Sequence, residues 1–123
     1  LSPGRSIVAK AGSRVERDMA APDHGFEARR LIRAAASATL ATGMEGQPFA
    51  SLVTPAAAPD LSILMLLSSL SEHTRHLRAE PRCALMFAGT PEGPNPQTAP
   101  RVTVTGLAEP VPEAEVPALK ARW

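Results

Sequence analysis

At 123 residues, with 44% hydrophobic and 20% charged side chains, the chain has the length and balance of one soluble domain with a buried core. A formal net charge of +1 and an aromatic content of 3% leave neither a polyanion-binding surface nor a base-stacking platform, so nucleic acid is not an expected partner. The single cysteine, Cys83, excludes an internal disulfide and a cysteine zinc cage; no stretch has the length of a membrane span, and a reducing, cytoplasmic setting is expected.

Residues Leu1 to Asp18 show no clean period, and Pro3, Gly4 and Gly12 break them up. Met19-Ala-Ala-Pro22 reads as a native start, so residues 1–22 are expected to be disordered or to dock as an arm, with the domain spanning 23–123. A helix is predicted from about Gly25 to Ala36, capped by Asp23. Ala28, Leu31, Ile32 and Ala35 fall at i, i+3, i+4 and i+7 and make one apolar stripe; Arg29, Arg30 and Arg33 form a solvated face.

The first strand of the domain is predicted at Ala38 to Thr42 and the second at Pro48 to about Ala56, with Gly43-Met-Glu-Gly46 as the turn between them. Pro59-Asp60 interrupts the chain, and a third strand, Leu61 to Ser68, is apolar nearly throughout, as a central strand covered on both faces would be. A short turn joins the second and third strands, which predicts that they pair antiparallel.

Ser69-Leu-Ser-Glu72 matches the Ser-x-x-Glu capping box, so a helix is predicted from there to about Ala79, stopped by Pro81. Leu70, His73 or Thr74, and Leu77 are expected to face inward, and His76 is read as a surface residue. The hydroxyls and Arg75 at the start of this helix form a candidate anion cradle, because free N–H groups and the positive dipole end converge there. His73 and His76, at i and i+3, have a spacing that permits a shared metal or a haem ligand.

A fourth strand is predicted at Arg82 to Ala88, with Cys83 as a small buried hydrophobe, followed by an exposed proline-rich loop from Gly89 to Pro100. The fifth strand, Arg101 to Ala108, alternates cleanly, and Gly106 within it suggests a bulge or a close backbone approach. A last helix begins near Pro112 or Glu113. Five antiparallel strands with short helices at the rim predict a mainly β, α+β fold, a small closed or split barrel. No Ser-His-Asp, HExxH or phosphate-loop pattern occurs, so no catalytic residue and no resident metal ion are assigned.

Four segments, Ala38-Thr-Leu-Ala-Thr42, Gly46-Gln-Pro-Phe-Ala-Ser-Leu-Val53, Leu67-Ser-Ser-Leu-Ser-Glu-His-Thr-Arg-His-Leu-Arg-Ala-Glu-Pro-Arg82 and Arg101-Val-Thr-Val-Thr-Gly106, in this order and spacing resemble the FMN-binding split-barrel family related to pyridoxamine 5'-phosphate oxidase, in its branch with haem-utilisation proteins. The resemblance implies an antiparallel Greek-key split β-barrel. It also implies a homodimer with FMN at the interface and flavin-dependent oxidoreductase activity on a small-molecule substrate. The positions that match the cofactor-binding motif are Ser51, Ser68, Ser69, His73, Thr74 and Arg75, with Arg101 on the flavin side. The same resemblance allows haem as the alternative ligand, or a barrel dimer without catalysis. His76 stands where the family often has Asn. Relatives continue into a further strand and helix, so the chain is expected to stop short of the family's last elements.

Overall fold

A computed structural model of the chain describes residues 6–11, 14–15, 24–58, 60 and 62–121. The elements in chain order are β1 (Ser6–Ala11), β2 (Arg14–Val15), α1 (His24–Ala34), β3 (Ala38–Met44), β4 (Gln47–Val53), β5 (Pro55–Ala57), β6 (Ile63–Ser68), α2 (Glu72–Ala79), β7 (Arg82–Ala88), β8 (Arg101–Pro110) and α3 (Val116–Lys120). Short 3-10 turns at Pro96–Thr98 and Glu113–Glu115 complete the path. The predicted Asp23 cap lies outside the described residues.

The strands lie in the order β4-β3-β7-β8-β1-β6-β5, every pair antiparallel, with β2 added to β8. The predicted second strand is split at Thr54. Its first half, β4, pairs with β3 along Ala38↔Val53 to Met44↔Gln47, and its second half, β5, pairs with β6. One stretch of chain thus supplies both ends of the sheet and curls it into a barrel, since the turn at Thr54 hands the strand from one partner to the other. The expected pairing of the second strand with the third is therefore made by β5 alone. Among the described residues the outer edge of β4 is unpaired, and that is the split.

Residues 6–11, expected as part of an arm, form β1 and sit between β6 and β8, in register from Ser6↔Ser68 to Ala11↔Ile63. The short run had no alternation long enough to signal a strand; two waiting neighbours satisfy its backbone instead. Gly106 pairs with Cys83 in an unbroken ladder from Arg82↔Leu107 to Ala88↔Arg101, so the expected bulge is absent.

Alternation builds the core. Leu40, Leu85 and Val104 are 0%, 0% and 2% exposed and follow one another across β3, β7 and β8 in register. Phe87, Ile63, Met65 and Leu67 extend the cluster, and Ile32 of α1 and Leu77 of α2 close it from either end. Ile63, Leu64 and Met65 are buried in succession, as expected for a strand covered on both faces, but Leu66 emerges to solvent.

Candidate functional site

The chain turns from β6 into α2 two residues later than a Ser69 cap would have it. The Ser68 carbonyl accepts the Ser71 N–H at 3.2 Å, and the Ser68 hydroxyl accepts the Leu70 N–H at 3.2 Å. These bonds fold residues 68–71 into a turn, and Ser71 becomes the cap, with no side-chain bond to the first turn. The expected capping box is therefore not formed. Glu72 opens the helix and reaches forward: one oxygen accepts from Arg75 at 2.9 Å, and the other lies 3.7 Å from His76 Nε2. Leu70, expected to face inward, is left in the turn and is 75% exposed.

That register decides where the histidines go. His73 Nδ1 and the Ser51 hydroxyl of β4 are hydrogen bonded at 3.0 Å. His76 Nδ1 and the Thr42 hydroxyl of β3 are hydrogen bonded at 2.9 Å. Read from sequence as a surface residue, His76 is in fact buried, because its helical face lies against β3 and the Phe49 ring meets it edge-on at 5.0 Å. Each ring engages a different strand, so the pair does not converge on one ion. Among the described residues there is no group of three or more His, Cys, Asp or Glu placed to hold a metal.

His73 Nε2 is buried and has no hydrogen-bond partner among the described residues. Burial, then the neighbouring His76, lowers the His73 pKa from the ordinary value, so the ring is neutral at pH 7 and presents an uncommitted nitrogen.

Of the other positions singled out from sequence, Thr74 is buried and its hydroxyl donates to the Ser68 carbonyl at 2.6 Å. That bond satisfies a carbonyl at the end of β6, where β5 no longer runs alongside. Arg75 is exposed, and among the described residues its side chain is tied to Glu72 alone, a surface pair that contributes about 0–1 kcal/mol. It can exchange that partner for a ligand anion at little cost, whereas the buried Thr74 hydroxyl is already engaged. Ser69 is half-buried in the turn. Arg101 is exposed at the first position of β8, opposite Ala88, and joins no hydrogen bond with this cluster among the described residues.

Sequence reasoning did not foresee Thr42 and Glu72 as partners of His76. Thr42 is a hydroxyl that shares a strand face with the buried Leu40 and Ala38, and a polar residue in such a row was the available signal.

Comparison with known proteins places these features in a lineage. The family model described as pyridoxamine 5'-phosphate oxidase matches residues 26–122. A non-canonical haem oxygenase of Arabidopsis thaliana, chloroplastic, is 35% identical over 85 residues, which are 69% of this chain and 26% of that protein. The chain thus spans about a quarter of the length of this curated relative. Among solved structures, a haem-binding protein from Mycobacterium smegmatis superposes with a TM-score of 0.73 at 31% identity, covering 83% of this chain and 42% of that one. A protein of unknown function from Agrobacterium tumefaciens gives 0.75 at 25% identity over 90% and 48%. An FAD-binding protein from Mesorhizobium loti gives 0.67 at 21% identity over 80% and 69%, a likeness of fold alone.

Proposed function

The chain belongs to the pyridoxamine 5'-phosphate oxidase family, and we propose that within it this domain binds haem, as a homodimer with a redox role toward a small-molecule substrate. The observation that carries the reading is the neutral His73 with its buried, unpartnered Nε2. A nitrogen already free of hydrogen bonds breaks none when it meets an electrophile, and the cost of binding is the displacement of the atoms that cover it. The two relatives at 31% and 35% identity that are named for haem support the same reading. Haem, when bound, supplies the redox-active iron. His73 is the residue fitted to face it. Arg75 and the first-turn N–H groups of α2 suit its carboxylates. Exposed Leu70, in the turn that leads into that helix, and Phe49, whose ring meets His76, offer apolar surface there.

The homodimer rests on the outer face of the sheet. Leu52, Thr39, Met86 and Thr103 stand in one row across β4, β3, β7 and β8, and Ala50, Ala41, Ala84 and Thr105 in the next. Within these four strands the two rows carry no charge, Arg14 of β2 standing beyond Thr105 at the end of the second, and Leu52 and Met86 are 74% and 41% exposed. A patch of small residues with protruding apolar ones, flanked by Arg101 and Arg82 in the neighbouring rows, fits a second copy of itself. A cytoplasmic setting is part of the proposal; among the described residues no helix is long and apolar enough to cross a membrane.

Haemin titration tests it. Binding is expected to give a shifted Soret band, and His73→Ala is expected to move or abolish that band. The second reading is FMN binding, favoured by the uncapped first turn of α2, whose N–H groups suit a terminal phosphate. Protein that leaves the haemin spectrum unchanged but quenches FMN fluorescence, and loses that quenching in Arg75→Ala, would replace the first reading with the second.

A further inference from the structure

The two imidazole–hydroxyl bonds of α2 join the same kinds of atom in opposite surroundings, and the surroundings set which partner donates. Thr42 and His76 are 6% and 7% exposed. Among the described residues the Thr42 hydroxyl has His76 Nδ1, at 2.9 Å, as its hydrogen-bond partner, so a buried O–H has that nitrogen to donate to. The far side of the ring agrees. His76 Nε2 lies 3.7 Å from a Glu72 carboxylate oxygen, which attracts a proton on that nitrogen and repels a lone pair. The neutral His76 ring therefore accepts at Nδ1 and carries its proton on Nε2.

At His73 the situation is reversed. Ser51 Oγ and His73 Nδ1 are 3.0 Å apart, but Ser51 is only half-buried, so its O–H can turn to water as that of Thr42 cannot. The buried end of this pair is His73 Nε2, which has no partner among the described residues. A proton there would be a buried donor without an acceptor, the rarer kind of orphan in folded proteins. We propose that Ser51 is a positioning residue: its oxygen accepts from His73 Nδ1–H and holds the ring in the tautomer with a bare Nε2, the opposite of His76.

This role rests on the haem reading above, whereas the tautomer is set before any ligand arrives. A nitrogen meets an electrophile through its lone pair. In water the Nε2–H form of a neutral histidine is the more populated, and that form would block the very atom the reading needs. Holding the other form in advance spares the proton a move on binding, and the Nδ1–H bond fixes the plane of the ring and raises the basicity of Nε2. His76 cannot take over the task, because its Nε2 carries the proton and faces Glu72.

Long-range proton–nitrogen correlation spectra of the histidine rings, recorded on the ligand-free, nitrogen-15-labelled chain at pH 7.5, test the assignment. The chain has three histidines, and the rings are identified by the signals lost in His24→Gln and His73→Asn. His73 is expected to show a protonated Nδ1 and a bare Nε2, and His76 the reverse. Ser51→Val and Ser51→Thr have the same shape and differ in the hydroxyl. The first is expected to shift His73 toward the Nε2–H form and to weaken haemin binding by about tenfold, and the second to restore both. A proton on Nε2 of His73 in the parent overturns the inference whatever haemin does. So does a His73 tautomer, or a haemin affinity, that is the same in the Val and Thr variants. A parent that leaves the haemin spectrum unchanged while its ring spectra show the expected pair of tautomers overturns the haem reading, and with it the purpose of the Ser51 bond, but not its direction.

Discussion

The two imidazole–hydroxyl pairs differ in what their loss would do. His76 is buried, and Thr42 is its Nδ1 partner. Thr42→Val keeps the shape and removes the hydroxyl, leaving a buried nitrogen unpaired at a cost of about 1–3 kcal/mol. Denaturant unfolding should show that loss, and Thr42→Ser should restore most of it. His73 instead carries the pH dependence. Its folded pKa lies below the ordinary 6.5 because burial, then His76, disfavours the charged ring. Between the folded value and 6.5 the unfolded chain holds more protons than the folded one, so stability rises with pH through that window. Stability of the ligand-free protein is therefore expected to be level above about pH 7 and to fall on acidification below about 6.5. Urea midpoints measured from pH 7.5 to 5 check this, and His73→Asn should flatten the slope. An unchanged slope in that variant would remove His73 as its source.

Two connections set the geometry around the site, and they were unequally legible. The β3–β4 hairpin closes on Glu45 and Gly46, with φ of 51° and 82°, between the paired Met44 and Gln47. Two consecutive positive φ values are the two-residue hairpin geometry that favours Asn-Gly. Glycine takes that conformation freely, but glutamate is strained in it by about 1–2 kcal/mol. Glu45→Asn is expected to raise stability by about 0.5–1 kcal/mol without moving the register, which thermal unfolding would detect. The turn was expected over Gly43 to Gly46; Gly46 does lie in it, but Gly43 and Met44 belong to β3, paired with Pro48 and Gln47, so the turn is two residues and not four. The start of α2 was not legible, because Ser69, Ser71 and Glu72 satisfy more than one capping register. The choice fell to Ser68, whose carbonyl accepts both the Ser71 N–H and the Thr74 hydroxyl. Two residues of shift at that point move Leu70 to solvent and His76 into the protein.

At the scale of the molecule, the sheet has an inner face that is the core and an outer face that the proposed homodimer would cover. Leu52→Glu combined with Met86→Glu places like charges in the row that would meet its counterpart, and both side chains are already exposed, so the fold should survive. Sedimentation is expected to show a dimer for the parent and a monomer for the double variant. A parent that is monomeric at tens of micromolar, or a variant that remains dimeric, would contradict the proposed interface. Much of the architecture was legible in the residues themselves. The alternation of Arg101 to Ala108, the apolar run from Ile63 and the stripe of Leu31 and Ile32 fix which segments are strands or helix and which side of each is wet, because burial selects period and face locally. The order and spacing of those segments also identified the family. What the residues alone left open was everything that depends on a distant neighbour. Only the folded chain determined that the strand changes partners at Thr54, that Ser6–Ala11 fills the gap between β6 and β8, and that His73 meets Ser51 and His76 meets Thr42. The reason is physical: backbone groups and imidazole nitrogens take whichever partner the barrel brings within about 3 Å, and that proximity is written in no local pattern.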